Sequence, residues 1–326
     1  EGAAFTFFQW DYAGTIVPAV TALERVVIGG DFTAINGVAR DRVAQLNENG
    51  SMDATFGLGT GNSIVLGIGL NTNLALPTLL GKSVVGGNFT VLNGANVSRL
   101  ARLNLDGSLD LGFNIGTGAN DAINAVVVQP DGRVVIGGFF TNFNGGGRGR
   151  LARLNVNGSL DAGFDTSIGA NNIVLTLAAQ PDGKVLVGGL FTTVNGTARN
   201  FIARLNLDGT VDSSFNTSVG ADGAVRAIAV QTDGRVLIGG DFATVNGTAR
   251  GRLARLNADG TLDTNFFSTG SGFNAFVSAI AVDASGRVVV GGAFTNIHGI
   301  ARNRVARLTS VGAVDGIFDP GLGFDD

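Results

Sequence analysis

Residues 239–266 read GGDFATVNGTARGRLARLNADGTLDTNF, and the reading of this stretch decides the fold. It opens on Gly-Gly-x-Phe and closes on an apolar residue followed by Asp-x-x-Phe, and both markers recur along the chain. The Gly-Gly pair falls at 29–30, 86–87, 137–138, 188–189, 239–240 and 291–292, at spacings of 57, 51, 51, 51 and 52 residues. The closing aspartates are Asp53, Asp110, Asp161, Asp212, Asp263 and Asp315, each three residues before a phenylalanine. Self-similarity at a fixed period of this length marks a solenoid, a propeller or another array. The units run at about 6–56, 57–113, 114–164, 165–215, 216–266 and 267–318.

Within a unit every apolar segment reads as strand. In the third, Ala122–Gln129 and Arg133–Phe140 are β-branched runs joined by the turn signal Pro130-Asp131-Gly132. Arg148–Asn155 is a third strand behind the Gly-rich loop 144–147. Asn157-Gly158 marks a hairpin into a short fourth strand, Ser159–Phe164. No window carries the helical apolar period, and the 52 glycines oppose helices. Four strands in about fifty residues match one propeller blade. The expected fold is therefore all-β: a six-bladed β-propeller of six four-stranded repeats of about 51 residues, occupying 1–326 as a single domain. A β-solenoid is the competing architecture, though its rungs are usually shorter. Blades packed face to face bury both sides of each sheet, which accounts for continuous apolar runs such as Val134–Ile136.

The repeated pattern couples Gly-Gly-x-Phe-Thr/Ala and Asn-Gly to Arg-x-Ala-Arg-Leu-Asn-x-Asp/Asn-Gly-Ser/Thr-Leu/Val-Asp-x-x-Phe. It resembles the bacterial delta-60 repeat family over essentially the whole chain, most closely in units three to five. Unit one departs at Gln45 and Leu23-Glu24. Unit two departs at Leu79-Leu80-Gly81 and carries six extra residues between Phe56 and Lys82, and unit six has Ser310-Val311-Gly312 at the hairpin turn. The resemblance implies a propeller-like domain of large secreted or surface-attached bacterial proteins and implies no activity. Kelch repeats share the length and the Gly-Gly pair but use Tyr and Trp positions missing here.

Composition narrows the function classes. The chain is 44% apolar with a net charge of −4, against nucleic acid as a partner. Its 20 Arg and 2 Lys fall almost entirely into four recurring slots. These hold Arg25, Lys82, Arg133, Lys184, Arg235 and Arg287; Arg40, Arg148, Arg199, Arg250 and Arg302; Arg42, Arg99, Arg150, Arg252 and Arg304; and Arg102, Arg153, Arg204, Arg255 and Arg307. Only Arg226 lies outside them, so the charge serves the repeat. No stretch is apolar enough to span a membrane, no secretory leader pattern opens the chain, and without cysteine no disulfide contributes. Opening inside a repeat fits a processed chain or a piece of a longer chain or assembly.

Several residues invite a functional reading. Residues 5–12 hold the only Trp and Tyr, Trp10 and Tyr12; a strand that closes the ring is expected there, with a partner or glycan contact as the rival. Segment 57–82 reads as a loop on one rim, with a contact loop as the rival. Asn36, Asn93, Asn144, Asn195 and Asn246 each precede Gly in a turn, and Asn195 and Asn246 also match glycosylation sequons. Asn104/Asp106/Asp110, Asn206/Asp208/Asp212 and Asn257/Asp259/Asp263 resemble the opening of a calcium loop but lack its length and its bidentate Glu. The last aspartate lies nearly opposite an arginine across the hairpin, so Asp110, Asp161, Asp212 and Asp263 are expected to pair with Arg102, Arg153, Arg204 and Arg255.

The first strand of each unit, such as Ala122–Val128, Ile173–Ala179, Ala224–Val230 and Val277–Val282, is expected innermost. It offers only Asn124, Thr176, Arg226 and Ser278 as polar residues, and no two carboxylates converge there for acid–base work. Arg226 marks the channel or is a solvated side chain at its mouth. His298, the only histidine, replaces the turn Asn of unit six; it cannot build a His metal site alone. Nucleophilic triads and phosphate-cradling loops are missing. The sequence thus points to no catalytic, cofactor or metal residue and to no cofactor. It points to a non-enzymatic structural or recognition propeller of a secreted or cell-surface bacterial protein, contacting another protein or a surface polymer. The alternative is a calcium-assisted, lectin-like glycan-binding propeller; a channel-site hydrolase or lyase comes third.

Overall fold

The computed structural model describes residues 26–35, 37–47, 49–57, 61–71, 75–164, 168–267, 270–321 and 323. The chain is all-β, and its repeats share one plan. In the third, Ile123–Val128, Val134–Gly138 and Leu151–Leu154 form an antiparallel sheet in that order. A two-stranded ribbon, Asn142–Phe143 with Gly146–Gly147, sits between its second and third strands. The plan returns in repeats two, four, five and six. In repeat one, Val26–Gly29 pairs with Val43–Leu46.

Two expectations from the sequence need correction. The fourth strand is reduced to a single bridge per repeat, Leu154 with Leu160 in the third. The reason is the closing aspartate, whose Oδ1 accepts a hydrogen bond from the backbone two residues on, as Asp212 does from Ser214 N at 2.9 Å. That turn leads the chain away from the sheet. The third strand also starts later than Arg148, because Arg150 has a left-handed backbone, φ 63°. Arg42, Arg99, Arg252 and Arg304 share that conformation at the same slot, as does Phe201 in repeat four.

The chain forms two compact units, residues 1–162 and 163–326. In each, the core lies between the sheets of consecutive repeats. Val84 and Leu100 of repeat two pack with Ile123, Val126, Ile136 and Phe140 of repeat three. Leu186 and Ile202 of repeat four pack with Val225, Ile238 and Phe242 of repeat five. The Gly-Gly pair is explained by two close approaches. A Cβ on Gly239 would lie 2.6 Å from Val277 Cγ1 of the next repeat, and one on Gly240 would collide with the Ala224 carbonyl just before the first strand of its own repeat. Neither neighbour can retreat without opening a sheet or the core.

Candidate functional site

Most of the ionic chemistry is used inside the repeat. Asp212 Oδ2 accepts hydrogen bonds from Arg204 Nε and Lys184 Nζ, both at 2.8 Å. The Arg204 guanidinium lies 4.7 Å over the Phe215 ring, and its Nη1 donates to the Ala258 carbonyl of the following repeat at 2.7 Å. One arginine therefore joins a carboxylate, an aromatic ring and the neighbouring repeat. Arg102 does the same with Asp110 at 2.7 Å, Phe113 at 4.5 Å and the Val156 carbonyl at 2.6 Å. Arg255 repeats it with Asp263 at 2.8 Å, Phe266 at 4.4 Å and the Ser310 carbonyl at 2.8 Å. Arg153 pairs with Asp161 at 2.8 Å, and Arg307 with Asp315 at 2.7 Å. The hairpin pairing expected from sequence is formed. The second cation on the same oxygen was missed, although Lys or Arg returns at that slot in every repeat. Burial acts to raise the Asp212 pKa, but the donors Lys184, Ser214 and Arg204 outweigh it and hold the carboxyl well below its usual range. Asp110 and Asp263 are lowered by the same balance.

The turn aspartates are engaged as well. Asp106, Asp208 and Asp259 each accept the backbone N–H two residues on at 3.0 Å. Among the described residues no three His, Cys, Asp or Glu side chains group to hold a metal. Two of the left-handed arginines also reach the next repeat: Arg99 Nη1 donates to the Ala119 carbonyl at 3.2 Å, and Arg252 Nη1 to the Phe273 carbonyl at 2.7 Å.

The Asn-Gly turns hold their own repeats. Asn195 Oδ1 accepts from Gly169 N at 2.9 Å while its Nδ2 donates to the Gly209 carbonyl at 3.0 Å. The Nδ2 that a glycan would need is thus already engaged. His298 fills the same role in repeat six: its φ is 52°, its Nδ1 accepts from Gly272 N at 3.0 Å, and its ring lies 4.6 Å from that of Phe267. Burial lowers its pKa, in keeping with a neutral, accepting ring nitrogen.

Of segment 57–82, expected as a rim loop, Val65–Leu70 is instead the first strand of repeat two. The extra length lies in the hairpin between Leu70 and Lys82, where Leu79 is buried. Two glycines among its six residues, Gly67 and Gly69, obscured this strand in the sequence. Residues 5–12, with Trp10 and Tyr12, and the cations and turn residues Arg25 and Asn36 lie outside the described residues.

One cluster stands apart from the repeat chemistry. Each first strand of repeats two to six has a β-bulge at its second residue: Leu66, Asn124, Leu175, Arg226 and Ser278. Bulges re-aim a side chain and are enriched beside functional sites. Only repeat five puts a charge there. Arg226 Nε lies 3.0 Å from both oxygens of Asp241, its Nη2 2.9 Å from Asp241 Oδ2, and its guanidinium 4.7 Å over the Phe276 ring. The corresponding residues of Phe276 are Ile64, Ala122, Ile173 and Ala224. Sequence reading singled out Arg226 as the cation outside the slots but gave it neither partner; the signal was that Phe276 also breaks its repeat position.

An all-β chain of repeated three-stranded sheets, latched by Asp, Arg and Phe, is the class of a repeat β-propeller. The chain belongs to the family described as domain of unknown function (DUF5122) beta-propeller, whose model matches residues 25–56, 81–113, 129–164, 180–215, 231–266 and 284–318. Each matched segment ends on the phenylalanine of a closing marker. No curated protein matches this sequence. Among solved structures, a virginiamycin B lyase from Staphylococcus aureus, crystallised in a catalytically inactive form with quinupristin, is similar at 13% identity. That match has a TM-score of 0.51 and covers 96% of this chain and 88% of that one. A gluconolactonase from Xanthomonas campestris is similar at 15% identity and a TM-score of 0.47, covering 82% and 79%. PorZ, a surface component of the type-IX secretion system of Porphyromonas gingivalis, is similar at 13% identity and a TM-score of 0.47, covering 91% of this chain and 41% of PorZ. At such identities the likeness is one of fold alone.

Proposed function

We propose that this chain is a non-enzymatic recognition or structural propeller of a secreted or cell-surface bacterial protein. One observation carries the reading: the closing aspartates of repeats two to six are bound to cations of their own repeat, as Asp212 is to Arg204 and Lys184. A carboxylate held ionised by two cations is a poor proton carrier near neutral pH. The similarity of the repeats to the delta-60 pattern supports the placement outside the cell and the expectation of a protein or surface-polymer partner. The calcium-assisted form of the glycan-binding alternative has the occupied turn oxygens of Asp106, Asp208 and Asp259 against it. Incubating the protein with panels of bacterial surface polysaccharides and surface proteins tests the reading. Retention without change to the retained material is the expected result, and progressive cleavage of any polymer contradicts it.

A further inference from the structure

We propose that Arg226, Asp241 and Phe276 form a subsite for a uronic acid residue of an acidic glycan, an inference that rests on the recognition reading above. Arg226 is the unpaired residue of a bulge, so its side chain leaves the sheet at an angle set by the backbone. Asp241 takes the Nε–Nη2 side of the guanidinium and Phe276 covers one face, which fixes the plane. The end edge, Nη1 with the outer hydrogen of Nη2, has no partner among the described residues, and the side chain is 37% exposed. Two parallel N–H groups on an oriented guanidinium match a carboxylate in two bonds.

The neighbours narrow the ligand further. Asp241 is 36% exposed and its oxygens retain lone pairs, so it calls for a hydroxyl donor next to the bound carboxylate. Phe276, 36% exposed, offers apolar ring surface beside them. A uronic acid carries all three complements on one rigid ring: a carboxylate for Arg226, hydroxyls for Asp241 and a C–H face for Phe276. A neutral sugar lacks the first, and an acidic peptide side chain lacks the second. Asp241 also cancels the charge of Arg226, so recognition rests on hydrogen-bond geometry more than on attraction of polyanions. This suits a chain whose net charge is −4.

The test is an amide NMR titration of the whole chain with digalacturonate, with maltose and with an Asp-Glu peptide. The expected result is shifts at residues 226, 241 and 276 with digalacturonate only. Arg226→Lys keeps the charge but loses the fork, and binding weakens about tenfold with an unchanged melting temperature. Asp241→Asn weakens it less. Absence of shifts, equal shifts from maltose or the peptide, or undiminished binding by Arg226→Lys overturns the subsite while leaving the recognition reading in place. Unsaturated or shortened uronate accumulating during the titration overturns the non-enzymatic reading instead.

Discussion

Arg204 and Arg226 belong to the same compact unit and touch the same two kinds of residue, yet do different work. Each sits beside an aspartate and over a phenylalanine at 4.7 Å. Arg204 and Asp212 are 9% and 6% exposed, and the arginine's third contact is a carbonyl of the next repeat. Arg226 and Asp241 are 37% and 36% exposed, and no described residue takes the outer edge of that guanidinium. Identical chemistry thus becomes a latch when buried between repeats and a docking point when placed on a bulge. Burial and the third partner, more than residue type, decide which.

The largest effect that sharpens this contrast is expected at the latch. Asp212→Ala leaves Arg204 and Lys184 without their carboxylate, and breaking a buried pair from one side costs about 3–5 kcal/mol. Urea unfolding of the variant measures the loss; an unchanged midpoint would remove the latch from the account. Arg204→Lys keeps the charge but cannot reach Asp212 and the Ala258 carbonyl at once, and a loss of about 1–3 kcal/mol is expected from the unmet carbonyl and weakened pair. Asp241→Ala, at the exposed triad, should cost at most about 1 kcal/mol, because solvent screens the pair.

Proton linkage gives two smaller, signed effects. The carboxyls of Asp110, Asp212 and Asp263 are depressed in the folded chain from a usual 3.8. Their contribution is complete above that value and is lost as pH falls through the lower folded values. Melting temperature against pH should drop in that acid range, and Asp212→Asn should flatten part of the drop. His298 is also depressed, from 6.5. The unfolded chain therefore takes up its proton first, and stability falls as pH drops below 6.5 toward the folded value. His298→Asn restores the acceptor used by Asn195 and Asn246 and should remove this smallest dependence.

Much of the fold was legible because repetition averages out local ambiguity. The Gly-Gly pair, the Phe that follows it and the turn behind them keep their spacing within each repeat, and each has a steric reason that any copy reveals. The Arg–Asp pairing was legible too, since both residues flank one hairpin. What stayed hidden depends on geometry that residue type does not announce. A left-handed backbone at Arg150 or Phe201 runs against the usual preference for glycine. The reach of Arg204 to a carbonyl 54 residues on needs the neighbouring repeat in place. The exposed triad was half legible: Arg226 stood out, but its partners come from the bend after the second strand and from the next repeat.

A pair of double-mutant cycles in urea, Arg204 with Asp212 and Arg226 with Asp241, tests the contrast most directly. The account predicts a coupling of about 2 kcal/mol at the buried pair and under about 0.5 kcal/mol at the exposed one. Equal couplings, or the larger one at Arg226, would contradict it.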